Sequence, residues 1–378
     1  MKNSPAKVRQ SGLELLRIIA MIFIVASHLS QRGNWSWIIT DIPLSFNQFF
    51  MNIVICFGQV GVAIFFTITG YFLYNSKNYN WKRIFKILRP TWFYSFTFLF
   101  LALLFFPSLI NFSLPLNQST AHLIFPVTTN AYWFISAYIS LYLLLPYLKI
   151  WLDNLNSKKL LRLILIVAGI FIIPNFLSYF VADTSSFILA IPSAIFYTIV
   201  GYTIHRYKNN LLQLKNNKLL LISLSGIILY VISSLLIHFA TTRLNYTNIN
   251  NNILIDTMSL PCMLTSVPLV IFFSRLKFIN KFINYIAGLV FGIYLVHSNS
   301  IFIDVIWRQQ DLLRTFIASN YSPIHFILYF ISTTIIIFCI SAIIEASRKL
   351  LTKIISKLFY NLCYLFRFHL HKKSSHTQ

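Results

Sequence analysis

The sequence predicts an all-α integral membrane protein, about ten transmembrane helices in one bundle with both termini cytoplasmic. Three observations carry this prediction. Of the 378 residues, 57% are hydrophobic and only 10% charged, against about 25% charged in an ordinary soluble domain; the mean hydropathy is +0.71. Apolar runs of roughly 17–25 residues, the length that crosses ~30 Å of hydrocarbon as helix, recur along the whole chain. The third observation is that the basic residues gather in alternate connections.

The runs fall near 12–30, 50–74, 90–108, 132–151, 160–180, 185–204, 219–240, 254–273, 282–303 and 323–346. Of the 31 Lys and Arg, 26 lie before the first run, in alternate loops, or after the last. The other loops hold only Arg32, Arg243, Arg308 and Arg314; Lys149 and Arg162 fall at the soft ends of their spans beside a basic loop, which leaves Arg17 alone within a span. That asymmetry is the positive-inside pattern and favours an even number of spans. It also accounts for the net charge of +23 without a nucleic-acid partner. The first run is interrupted by Arg17 and runs into a polar loop with no small-residue cleavage site, so it is expected to remain as a span. Cys56, Cys262, Cys339 and Cys363 show no metal spacing and are expected to pack as small hydrophobes.

No polar segment between spans is long enough to bury a core of its own. The chain therefore divides into a polytopic membrane domain, 1–346, and a basic cytoplasmic tail, 347–378. In the tail Lys349, Lys353 and Lys357 are spaced four apart, with Leu351, Ile354, Ile355, Leu358 and Leu362 between and beyond them. This pattern predicts an amphipathic helix on the inner leaflet, drawn to anionic headgroups. Residues 108–131 form the longest predicted outer loop and contain no Lys, Arg, Asp or Glu. A neutral segment rich in hydroxyls and amides suits either an acceptor site or a plain connection.

Ionisable groups within spans are costly, about 2.5–3.5 kcal/mol for Arg at a helix centre on insertion scales, so each is a functional candidate. In "ELLRIIAMIFIVASHLSQRG" Arg17 and His28 are 11 residues apart. At 3.6 residues per turn they share a face, separated by ~16 Å along the axis. An ordinary reading stands beside this, in which each snorkels to its nearer membrane surface. Glu14 lies three residues before Arg17 and can pair with it. His297, in "LVFGIYLVHSNSIFID", has Ser298, Asn299 and Ser300 beside it and Asp304 seven residues on; it reads as either a core histidine or a catalytic one. In "NWKRIFKILRPTW" Arg83, Lys86 and Arg89 recur every three residues at an inner membrane edge. Such a row can grip phosphates, though any short inner loop is expected to be basic. Only eight acids occur in the chain, and few are deep in a span, which disfavours ion-coupled transport.

Four stretches together resemble the membrane acyltransferase-3 family. They are "ELLRIIAMIFIVASH", with Arg, ten residues and His; "GQVGVAIFFTITGYFL", with Thr69 where the family usually has Ser; "YWFISAYISLYLLLPYL"; and "FGIYLVH". The family's Arg-x-x-Arg pair is met here only by Arg83 with Lys86, followed by Arg89; Lys holds phosphate as a point charge, not bidentately. The resemblance implies an enzyme that moves an acyl group from acyl-coenzyme A, with acetyl-coenzyme A expected, to a hydroxyl of a surface polysaccharide or its lipid-linked precursor. It assigns His28 and Arg17 as catalytic, with His28 either a base or a covalent acyl relay. Glu14 and His297 become supporting residues, and Arg83, Lys86 and Arg89 the donor-phosphate grip. No metal and no permanently bound cofactor is implied. The expected setting is a bacterial plasma membrane, with the bilayer, acyl-coenzyme A and a glycan as partners. Some relatives carry an extra outer hydrolase-like domain, for which this chain is expected to have no room. It either completes transfer itself or passes the acyl group to a separate partner transferase. The competing class is a transporter of a lipid-linked or polysaccharide product that carries out no acyl transfer.

Overall fold

A computed structural model of the chain describes residues 10–32, 46–76, 79–110, 112, 118–129, 131–177, 190–243, 256–299 and 322–374. These residues are helices and turns, with no strand among them. In chain order the helices are α1 (Gly12–Arg32), α2 (Phe46–Leu73), α3 (Lys82–Phe105), α4 (Gln118–Ile124), α5 (Trp133–Asp153), α6 (Ser157–Leu177), α7 (Ala190–Arg206), α8 (Lys208–Leu211), α9 (Asn216–Arg243), α10 (Leu260–Arg275), α11 (Lys281–His297) and α12 (Pro323–Ser374). Every one of the ten apolar runs coincides with a helix over most of its described length. Six helices among the described residues, α1, α2, α3, α5, α9 and α12, are long and apolar enough to cross a membrane, while α10 and α11 are shorter apolar helices.

The first helix lies at the centre of the bundle together with α2. It packs against α2, α10, α11 and α12, burying Leu13, Leu16, Ala20, Ile24, Val25 and Leu29. Ser11 anchors its start: the Ser11 hydroxyl donates to Asn284 Oδ1 at 3.0 Å and accepts from the Asn280 amide at 2.8 Å. Glu14 in the first turn complements the positive end of the helix.

In the membrane, water provides no drive between helices, so close packing at small residues decides which helices meet. The contact of α2 with α7 shows this. A Cβ on Gly70 would fall onto the Thr198 carbonyl, and one on Gly201 onto the Thr67 carbonyl. Thr67 and Thr203 return their hydroxyls to their own helices, at Ala63 O and Ile199 O. Substituting Gly201→Val is therefore expected to push the helices apart and cost about 1–3 kcal/mol, the usual penalty of overpacking. A fall in Tm of the detergent-purified protein would measure it.

Three local features differ from the sequence reading. The basic stretch at residues 80–92 is not a loop leading to a span, because α3 already starts at Lys82 and continues through Pro90. The third apolar run therefore begins a full two turns inside its helix. The neutral segment is partly helical among its described residues, and α4 lies back along α3, with Leu123 packed on Ala102 and the Ser95 hydroxyl donating to Leu123 O at 2.5 Å. Finally, α12 runs without a break from the membrane part into the tail, since nothing between Glu345 and Lys349 disfavours helix. Up to Tyr360 the tail's apolar side chains Leu350, Leu351, Ile354, Ile355 and Leu358 are exposed, between Lys349, Lys353 and Lys357.

Candidate active site

Arg17 and His28 are on the cavity side of α1, as their spacing requires. One cavity of about 1140 Å³ is lined by both of them, together with Arg83, Lys86 and Lys149. Its volume is slightly above the range of about 300–1,000 Å³ usual for small-molecule sites.

At one end of the cavity His28 meets His297. The His28 Nδ1 to His297 Nε2 distance is 3.1 Å, and both rings are buried. His297 Nδ1 lies 2.6 Å from the Ile293 carbonyl. A carbonyl can only accept, so Nδ1 of His297 carries a proton. In the neutral pair His297 Nε2 then accepts from His28 Nδ1–H, which puts the basic lone pair of His28 on Nε2. Ser298 Oγ stands 3.4 Å from both ring nitrogens of this contact. His297 occupies the last position of α11, where the negative end of the helix favours a cation. A proton taken up by His28 is thus partly accommodated by its neighbour.

Two other motif stretches hold this pair in place. Tyr132, just before α5, donates to Leu295 O at 3.1 Å and accepts from Asn299 Nδ2 at 2.8 Å. The contact ties the "YWFISAY" segment to the end of "FGIYLVH". In α2, Gly58 leaves room for Ser27, whose hydroxyl donates to Ile55 O at 2.9 Å. These contacts fix the turn of α1 that carries His28.

At the other end the cavity is cationic and aromatic. Arg17 Nη1 lies 3.3 Å from both carboxylate oxygens of Glu14, and its guanidinium covers the Phe72 ring at 5.7 Å. Glu14 is buried beneath it, and the pair tethers the Arg17 guanidinium to its own helix. Arg83 donates to the Tyr138 hydroxyl at 3.3 Å and stacks over Tyr142 at 5.5 Å. Lys149 pairs with Asp153 at 2.8 Å, and Asp153 also accepts from Tyr202. Between α2 and α3, burial followed by the neighbouring Tyr142 raises the Tyr79 pKa above its ordinary value of 10.0; Tyr79 therefore remains a neutral hydroxyl at the mouth.

The structure thus brings Arg17, His28, Arg83 and Lys86 to one cavity, sets His297 directly behind His28, and seats Glu14 under Arg17. Arg89 is exposed and does not contribute to the lining. Thr69 lines the cavity, but its hydroxyl bonds back to Phe65 O at 3.0 Å. Asp304 lies outside the described residues. Sequence reasoning missed Lys149, Tyr138 and Tyr142 as cavity residues. Their signal was present, because positions 138, 142, 145 and 149 follow one face of α5. Among the described residues no three His, Cys, Asp or Glu side chains converge as metal ligands.

A helical bundle with helices of membrane-crossing length thus holds one cavity that joins a cationic, aromatic end to a buried imidazole pair. A family model described as an acyltransferase domain, that of the acyltransferase-3 family, matches residues 10–345, and the chain belongs to that family. No curated protein and no solved structure matches it.

Proposed function

We propose that the protein is an O-acetyltransferase that moves an acetyl group from acetyl-coenzyme A to a hydroxyl of a surface polysaccharide or its lipid-linked precursor. One observation carries the reading. A single cavity links a cationic, aromatic mouth, suited to a nucleotide and its phosphates, to a histidine whose partner sets its proton-accepting nitrogen.

A sugar hydroxyl is a weak nucleophile with a high pKa and needs a base on its proton as it attacks. In the proposed step the hydroxyl oxygen bonds to the thioester carbonyl carbon while His28 Nε2 takes the proton. The carbon–sulfur bond then breaks, and the leaving thiolate receives the proton from the His28 imidazolium. His297 accepts the His28 Nδ1–H throughout and keeps the ring in the productive tautomer. At ~16 Å from His28 along α1, Arg17 is too distant to stabilise the oxyanion; with Arg83, Lys86 and Lys149 it holds the donor.

In this reading ten helices cross the membrane, both termini are cytoplasmic, the tail lies on the inner leaflet, and the host is bacterial. The donor enters from the basic side and the acceptor from the opposite one. A separate partner transferase is a downstream option, not a requirement. The test is incubation of membrane vesicles with radiolabelled acetyl-coenzyme A and envelope glycan. Alkali-labile label on the glycan is expected; a transporter would leave the donor intact. Arg83→Ala and Lys86→Ala are each expected to raise the KM for the donor about tenfold, equivalent to about 1.4 kcal/mol, with kcat much less affected. An unchanged donor KM in both would remove the mouth from the mechanism.

A further inference from the structure

Beside His28 the cavity wall carries two glutamine amides that neither the imidazole chemistry nor the donor mouth uses. Gln31 is one turn after His28 on α1, and Gln59 lies on α2 next to Gly58, the residue that lets α2 close on Ser27. Both line the cavity. Each amide has one end committed. Gln31 Nε2 donates to Ser27 Oγ at 2.8 Å, and Ser27 directs its own proton to Ile55 O; this leaves the carbonyl end of Gln31 as an acceptor. Gln59 Oε1 accepts from Thr257 Oγ1 at 2.5 Å, leaving its NH₂ end as a donor.

The turn that presents Thr257 is itself held by hydrogen bonds. The Tyr197 hydroxyl donates to Thr257 O at 2.6 Å, Asp256 Oδ1 accepts from the Met258 amide at 2.9 Å, and Ser259 caps α10. Such a brace around one side-chain amide keeps it from flipping.

We propose that Gln31 and Gln59 form the acceptor clamp, one offering an acceptor and the other a donor on the rim of the His28 pocket, and that the clamp selects a polyhydroxylated acceptor. Neighbouring sugar hydroxyls each donate and accept, so one can bond Gln59 NH₂, another Gln31 Oε1, while a third presents its proton to His28. A monohydric alcohol can satisfy only one of these positions. The clamp rests on the O-acetyltransferase reading and specifies its acceptor class. Sites built to hydrogen-bond a substrate discriminate strongly against analogues lacking those groups, because the unpaired protein groups remain desolvated.

The test uses the full-length protein in proteoliposomes, with acetyl-coenzyme A as donor and either methyl glycosides of hexoses or n-hexanol as acceptor. Gln59→Met and Gln31→Met keep side-chain length while removing the amide, and Thr257→Val removes only the brace. The glycoside KM is expected to rise at least tenfold in both Gln variants and by less in Thr257→Val, with the acetyl-coenzyme A KM unmoved. Selectivity for glycoside over hexanol should fall by the same factor. The proposal is overturned if the glycoside KM stays constant, or if donor and acceptor KM rise together, as general distortion would cause. If the unaltered protein acetylates neither acceptor nor envelope glycan, the O-acetyltransferase reading itself falls, and the clamp with it. Transfer by the unaltered protein that is indifferent to the Gln substitutions sinks the clamp alone.

Discussion

His28→Ala is expected to reduce acetyl transfer about 10²–10⁴-fold, the usual contribution of a positioned general base, while the protein still inserts and purifies. The ring is buried against His297 at 3.1 Å, so its loss removes the proton acceptor, while the other contacts of α1 with α11 and α2 remain. His297→Ala should cost less, since His28 retains its lone pairs but loses the partner that selects its tautomer and shares its charge. The two act as a unit, and the double variant is expected to be no slower than His28→Ala alone. Initial rates of ester formation at saturating donor would measure all three. Full additivity of the two losses would show that the histidines work separately.

Glu345→Ala is expected to destabilise the bundle by about 3–5 kcal/mol, the cost of removing one partner of a buried ion pair. Glu345 accepts from Arg348 Nε and Nη2 at 2.7 Å each and from the Tyr94 hydroxyl at 2.8 Å, with Lys349 3.7 Å away. Gly292 of α11 makes the room it occupies, and Lys349 donates to Gly288 O at 2.5 Å. One carboxylate therefore joins α3, α11 and α12. Removing it leaves the largely buried Arg348 and Tyr94 facing each other without their anion. The combined change Glu345→Ala with Arg348→Met should recover much of the loss, because removing both charges is milder than stranding one. Tm in detergent reads the stability, and residual activity of the folded fraction separates it from chemistry. His297 lies five residues beyond Gly292 on α11, so that fraction is expected to show reduced activity as well.

The helices themselves were readable because apolar length and the charge of the connections are local quantities. The regions most altered by folding are those where local signals conflict. In residues 80–92 the charges marked a membrane edge, yet Lys82 to Leu88 form helix as readily as the apolar run beyond them, and α3 absorbs both. Residues 118–124 lacked charge and read as a loop; packing of Leu123 on Ala102 makes them a short helix.

The candidate site divides in the same way. Sequence by itself determined that Arg17 and His28 share a face, since helical pitch does, and that Glu14 can reach Arg17, since three residues make nearly a turn. It also determined the membrane setting, because composition alone decides which solvent the chain prefers. Only the tertiary structure decided that His28 and His297, 269 positions apart, are one hydrogen-bonded pair, or that Thr257 orients Gln59 across 198 residues. Such pairings depend on which helices the small residues allow to approach. Gly58 against Ser27 and Gly292 against Glu345 are contacts between surfaces, and the hydropathy or spacing of either surface alone does not contain its partner.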